Sequence, residues 1–268
     1  MFMDMCVRLL VSIVSGLYTS LWGAFKDSPY EGLKRKTFPR SIYFHIVIFF
    51  LLYGLPVFRE SFADLGLVQV FFVIMGLERF LAELYKGFFR TEDQSKYFVP
   101  SRITFFGRHV RSDLARYAAG AALVTGVFCL LLIGYRVTSF LAFPVTAYAT
   151  GLIVSLGGAY KDAPFEGFKP LKFQRSAIVL AVCSPLFYFL NSSLTPVPLG
   201  YLIYMNGGLE RFVVEYYKTY IQRNMSGKFR PDLPRNQTLI DSRERFHYLA
   251  LAIIAGLTTL YAYEIKTL

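Results

Sequence analysis

A charged block of twelve residues occurs twice in this chain. Gly23-Ala24-Phe25-Lys26-Asp27-Ser28-Pro29-Tyr30-Glu31-Gly32-Leu33-Lys34 returns 135 positions later as Gly158-Ala159-Tyr160-Lys161-Asp162-Ala163-Pro164-Phe165-Glu166-Gly167-Phe168-Lys169. A second block, Gly76-Leu77-Glu78-Arg79-Phe80 with Glu83, Tyr85 and Lys86, returns after 132 positions as Gly208-Leu209-Glu210-Arg211-Phe212 with Glu215, Tyr217 and Lys218. Two halves that keep charge, proline and glycine at matching places are expected to build one local structure twice.

The blocks are set among long apolar runs. Apolar residues make up 54% of the 268 positions and the mean hydropathy is +0.42. Such runs, with charges clumped between them, mark a polytopic helical membrane protein. Eight spans are predicted, at roughly 6–25, 42–58, 65–85, 114–135, 137–160, 177–194, 197–217 and 247–264, each near the ~20 residues that cross a bilayer. The runs do not alternate as barrel strands do. The first span leads straight into the first block and shows no small-x-small cleavage pattern, so it reads as part of the fold and not as a signal peptide.

Four spans per copy, an even number, send both copies into the membrane in the same direction. The expected architecture is therefore all-α, with two parallel four-helix repeats (1–136 and 137–268) related by a pseudo-two-fold axis along the membrane normal. The fourth and eighth spans match each other only loosely.

Charge gives the orientation. The side bearing both Lys-Asp-x-Pro-x-Glu-Gly segments holds 23 of the 29 basic residues and 10 of the 18 acids, whereas Asp4, Arg8, Arg59, Glu60, Asp64, Arg136, Glu264 and Lys266 on the other side cancel. The positive-inside rule makes the motif side cytoplasmic, in a plasma or inner membrane, with both termini outside. Insertion topology then accounts for the net charge of +11 without a nucleic-acid partner. Cys6, Cys129 and Cys183 lie apart in spans without CxxC spacing, which argues against a disulfide framework or zinc site. Asn191-Ser192-Ser193 is a glycosylation sequon on the outer side.

The first block reads as a shaped turn at the membrane surface. Proline fixes φ and glycine permits a positive φ, so Asp27 and Glu31, or Asp162 and Glu166, are presented four residues apart. Four such carboxylates are candidate ligands for Mg²⁺ carried by a phosphorylated molecule, since hard cations take oxygen donors. Lys26, Lys34, Lys161 and Lys169 are candidates for its phosphate oxygens. Two acidic motifs four helices apart resemble the arrangement in intramembrane prenyltransferases. The motifs of that family are richer in aspartate and include an asparagine, which neither segment here reproduces.

In the second block, helical spacing puts Glu78 with Tyr85 on one face and Arg79, Glu83 and Lys86 on another. Arg79 sits about 10 Å deeper than Lys86 at ~1.5 Å per residue. Glu210, Arg211, Glu215 and Lys218 repeat the pattern. Charges at that depth are site candidates, or else an interlocked network clamping the first block onto the helix end. The basic and aromatic segments 87–112 and 219–246 read as ordinary topology signals with snorkelling side chains, or as an interface with anionic lipids. Asn206-Gly207-Gly208 reads as close helix packing. His45, His109 and His247 have no counterparts in the other copy, and no nucleotide, hydrolase or HExxH motif is present.

Three functions fit this pattern. The preferred one is transport or permeation of a small ion, or of an anionic or phosphorylated solute or lipid, through a symmetric charged cleft, because the motif is doubled and no nucleophile or base stands apart from the charge network. The alternatives are a Mg²⁺-dependent lipid or isoprenoid phosphate transferase and a structural subunit of a larger membrane complex. Anionic lipids, other membrane proteins or further copies of the chain are the expected partners.

Overall fold

The structure, a computed structural model, describes the chain except for residues 1, 34–35, 92–94, 96, 106–107, 191–195, 224–228, 231 and 268, and the side chains of residues 2, 105, 109, 161, 166 and 172. It is all-helical, with 78% of residues in helices. The helices are α1 (Phe2–Glu31), α2 (Arg40–Gly54), α3 (Pro56–Ala63), α4 (Leu67–Leu84), α5 (Asp113–Leu131), α6 (Ala142–Glu166), α7 (Pro170–Cys183), α8 (Pro185–Phe189), α9 (Leu199–Tyr216), α10 (Gln237–Ser242) and α11 (Glu244–Thr267). A π-helical turn extends α4 over Tyr85–Phe89, and another extends α9 over Tyr217–Ile221. Two short antiparallel ladders pair β1 (Thr104–Phe105) with β2 (Arg108–His109), and β3 (Arg136–Val137) with β4 (Val197–Pro198).

Among the described residues, four helical segments can cross a membrane by length and composition, namely Met3–Glu31, Asp113–Leu131, Ala142–Phe165 and Gln237–Thr267. The segment predicted at 42–58 is broken. Pro56 disfavours the helical region for Leu55, whose ψ is 121°, and α3 leaves α2 at 100°. Counted as one bent span, α2–α3 makes a fifth. The segment predicted at 177–194 divides at Ser184-Pro185 into α7 and the short α8.

α4 and α9 carry the charges of the second block and are the most enclosed helices. Residues 68–78 of α4 are buried, as are most of residues 200–211 of α9. They pack on each other at the centre, α1 and α2 form a pair on one flank, and α6 and α7 form one on the other. α5 lies against α4, the first π-turn and α9, whereas α11 lies along α1. Aromatic rings fill the centre: Tyr18 stacks on Phe212 at 4.6 Å, and Phe72 meets Phe187 and Phe212 edge-on. The outer faces of α2, α6 and α11 expose Val47, Phe50, Val145, Ile153, Leu156, Leu249 and Leu251. Apolar residues facing outward over charged residues facing inward is the arrangement a hydrocarbon solvent favours.

One end of the bundle is a compact polar seal. Arg8 donates to the Phe62, Ala63 and Leu65 carbonyls that end α3, and to Asp4 at 2.9 Å. Glu264 accepts from the Leu67 and Val68 amides that begin α4, and Arg136 lies 3.5 Å from Asp64. The opposite end holds both copies of the first block.

Those copies are helical, contrary to the expected turn. α1 continues through Lys26, Asp27 and Pro29 to Glu31, and α6 runs through Pro164 to Glu166. The helices stop only at Gly32 and Gly167, whose φ values are 75° and 76°. A proline within a helix lacks one donor but need not end it, while a residue with positive φ closes it. Asp27 and Glu31 therefore occupy one helix face at the end of a long rod.

Candidate functional site

The site begins at a close helix crossing. A Cβ on Gly76 would overlap the Tyr204 carbonyl oxygen, and one on Gly208 would overlap that of Phe72. Only glycine lets the backbones approach this closely, which gives Asn206-Gly207-Gly208 the packing role read from its sequence. Glu78 and Arg79 follow Gly76 directly, and Glu210 and Arg211 follow Gly208. Each charge is thus carried towards the opposite helix.

The ion pairs cross between the halves. Arg79 pairs with Glu210, and Arg211 with Glu78. Ser41 of α2 donates to Glu78 at 3.3 Å, and Ser176 of α7 donates to Glu210 at 2.6 Å. Arg79 also donates to the Gly207 carbonyl at 3.2 Å. Lys26 of the first copy meets Glu215 of the second at 2.8 Å, while Lys218 lies 3.6 Å from that carboxylate. The strip expected along one helix, Arg79 with Glu83, does not form the principal pair. Glu83 is exposed and pairs with Lys86 at 2.8 Å, outside the buried network.

Two cavities flank this network at the motif end. The first, about 420 Å³, is lined by α1 from Thr19 to Glu31, by Arg40, Ser41, Glu78, Lys86, Arg90 and Glu215, and by Arg211 from the other half. The second, about 190 Å³, is lined by α6 from Val154 to Ala163, by Lys169, Arg175, Ser176, Glu210 and Lys218, and by Arg79 from the other half. Ser20, Gly23, Ala24, Asp27, Gly32, Phe38, Arg40 and Ser41 in the first have Ser155, Gly158, Ala159, Asp162, Gly167, Phe173, Arg175 and Ser176 in the second, all at the shift of 135. Glu78 and Lys86 correspond to Glu210 and Lys218 at the shift of 132. Trp22 breaks the match: its indole lies beneath the Arg211 and Lys26 cations at 5.0 and 5.5 Å, whereas Gly157 stands at the matching place.

Of the candidates named from sequence, Lys26, Asp27, Glu31, Glu78, Arg211 and Glu215 gather around the first cavity, and Arg79, Asp162 and Glu210 around the second. The side chains of Lys161 and Glu166 lie outside the described residues, as do Lys34 and the sequon at 191–193. Among the described residues no three His, Cys, Asp or Glu side chains converge as metal ligands. His45 is buried with Nδ1 2.7 Å from the Ser41 carbonyl, and His247 stacks on Tyr220 at 4.7 Å.

Sequence reasoning missed Arg40, Ser41, Arg175 and Ser176. The signal was present, because Phe38-Pro39-Arg40-Ser41 returns as Phe173-Gln174-Arg175-Ser176 at the shift of the first block. It also missed that Lys96-Tyr97 returns as Lys228-Phe229 at the shift of 132. Tyr97 and Phe229 lie in the segments for which a lipid interface is one reading, yet both are buried. They face each other across an antiparallel bridge with rings 5.6 Å apart, and Tyr30 lies 4.8 Å from Phe229. The two long segments thus meet over the end of α1.

Beyond the end of α9, burial pushes the Lys218 ammonium below the usual lysine value; attraction to Glu215 opposes this, while the Arg175 and Lys26 charges add to it. Cations are crowded here faster than carboxylates neutralise them. Compared with protein-family models, curated proteins and solved structures, the chain matches none of them.

Proposed function

We propose that the chain is an eight-span integral membrane protein of two parallel four-helix repeats that moves a small ion, or an anionic or phosphorylated solute or lipid, through its paired charged cavities. The spans are α1, α2–α3, α4, α5, α6, α7–α8, α9 and α11, and the pseudo-two-fold axis passes through the Gly76–Gly208 crossing along the membrane normal. The excess of basic residues at the cavity end makes that end cytoplasmic.

One observation carries this reading. The two cavities are lined by residues that correspond under the repeat, and each is completed by an arginine of the other half. A change in one half therefore alters the cavity of the other, a geometry suited to two halves rocking about a shared axis. The doubled arrangement also favours transport over a single-site transferase.

Reconstitution into sealed liposomes tests the proposal. Entry of labelled phosphate or pyrophosphate above that of protein-free vesicles, reduced in Arg79→Leu and Arg211→Leu, is the expected result. Transfer of a phosphoryl or isoprenyl group in detergent, dependent on Mg²⁺ and without vesicle flux, would move the assignment to the transferase.

A further inference from the structure

The cavities contain more than the crossed ion pairs. Among the described residues, the side chains of Arg175, half-buried, and Lys169, exposed, at the second cavity and of Arg40, exposed, at the first have no hydrogen-bond or ion-pair partner. The carboxylates beside them are already engaged: Glu210 by Arg79 and Ser176, Asp162, Asp27 and Glu31 by contacts of their own. What each lining holds without a carboxylate partner is positive charge.

Several donors are enclosed. On residues of the second lining, Ser155 Oγ and Arg175 Nε are buried without a partner among the described residues, and so are Thr19 Oγ1, Ser20 Oγ, Trp22 Nε1 and Ser28 Oγ on residues of the first. Thr19, Ser20 and Ser28 are only 3%, 7% and 3% exposed. Buried hydroxyls without partners are uncommon because each costs free energy unless something satisfies it. Ser20 and Ser155 correspond in the two copies, as do Arg40 and Arg175. Neither α2 nor α7, which bring these arginines, has its first turn capped by a side chain.

We infer that each cavity is a binding site for a tetrahedral phosphate-class oxyanion, held in the second cavity by Arg175, Lys169 and Lys218 with the Ser155 hydroxyl, and in the first by Arg40 with the Ser20 hydroxyl. Guanidinium offers two parallel donors to adjacent oxygens, and lysine adds point charge. Several cations with few free carboxylates favour a dianion over chloride. The smaller cavity, about 190 Å³, has room for a phosphate, and the larger, about 420 Å³ with Trp22 on its wall, has room for a bulkier substituent as well. The inference rests on the reading of these cavities as ligand sites in a membrane protein. The same chemistry serves a soluble phosphate or a lipid phosphomonoester headgroup.

The test is binding by the full chain, by calorimetry in detergent with inorganic phosphate or pyrophosphate, and by native mass spectrometry from nanodiscs of phosphatidylcholine with or without phosphatidic acid. Saturable binding of free phosphate identifies a soluble ligand, and retention of phosphatidic acid alone identifies a headgroup; either supports the site. Arg175→Gln should weaken binding about 10- to 100-fold, the loss of one charge-assisted contact, and Arg175→Lys by less. Ser155→Ala and Arg40→Gln give independent readings if Arg175→Gln does not fold, and Lys266→Gln at the other end should bind as wild type. Binding of none of these probes, or unchanged binding by Arg175→Gln, Ser155→Ala and Arg40→Gln, overturns the inference. Phosphate binding without vesicle flux would instead remove the transport reading and leave the site, whereas flux of another ion with no phosphate binding would do the reverse.

Discussion

Replacing Arg79 by Leu should be among the most damaging single changes in the protein. Glu210 is 3% exposed and is held by Arg79 and the Ser176 hydroxyl. Without the guanidinium a carboxylate stays enclosed between α7 and α9 with a single neutral donor. Breaking one side of a buried pair costs about 3–5 kcal/mol, a shift of about two to three and a half decades in the unfolding equilibrium. Arg79→Leu/Glu210→Leu removes both charges and should recover most of that loss, because apolar replacement of a whole buried pair is often near neutral. The assay is reversible unfolding in mixed dodecyl maltoside–SDS micelles, followed by circular dichroism, for the two single variants and the double. A favourable coupling of about 2 kcal/mol or more is expected. The Arg211–Glu78 pair offers the same cycle in the opposite sense and should behave alike. Should Arg79→Leu cost less than about 1 kcal/mol, or the double variant lose the sum of the singles, the crossed pairs are not the clasp described above.

Other changes probe separate parts of the fold. Gly76→Val or Gly208→Val should force α4 and α9 apart at a backbone contact, at a cost above the usual ~1–3 kcal/mol of overpacking, and either should lower the yield of folded protein in size-exclusion chromatography. Arg8→Met removes the donors that end α3 and should cost about 1–3 kcal/mol, with faster amide exchange over residues 62–68. Because Lys218 holds its proton less tightly in the folded state than in the unfolded one, stability should rise with pH through its lowered value towards the ordinary lysine value. Lys218→Met should flatten that slope when the two melting-temperature profiles are subtracted.

The repeat made much of this legible. Asn206-Gly207-Gly208 reads as close helix packing, and the acid–base sets at 78–86 and 210–218 read as a network; that Gly76 shares the crossing shows only in the structure. What the sequence could not supply was partnership. Helical periodicity relates Arg79 to Glu83 on its own helix, but only the close approach at Gly76 shows that Glu210 lies nearer in space. The Lys-Asp-x-Pro-x-Glu-Gly segment was misread because proline weighs heavily as a helix breaker, although within the last turns of a long helix its missing donor is tolerated. The bend at Leu55-Pro56 went unseen because hydropathy has no direction. Arg40 and Arg175 were overlooked because Phe-x-Arg-Ser is too short to stand out, and it gains meaning only once α2 and α7 place it against the motif helices.

Permeation requires that a cavity open at the motif end be reached from the other end in turn. Ala159 lines the second cavity, and Cys6, Cys129 and Cys183 line neither, so Ala159→Cys can be studied in a protein freed of its native cysteines. The measurement is labelling of that thiol by a membrane-impermeant reagent applied to either side of sealed, oriented proteoliposomes, with and without a phosphate gradient. Labelling from the motif side at rest, and from the opposite side as well once phosphate is moving, is the result the account predicts. Labelling from the motif side alone under every condition, with no phosphate crossing, would contradict it.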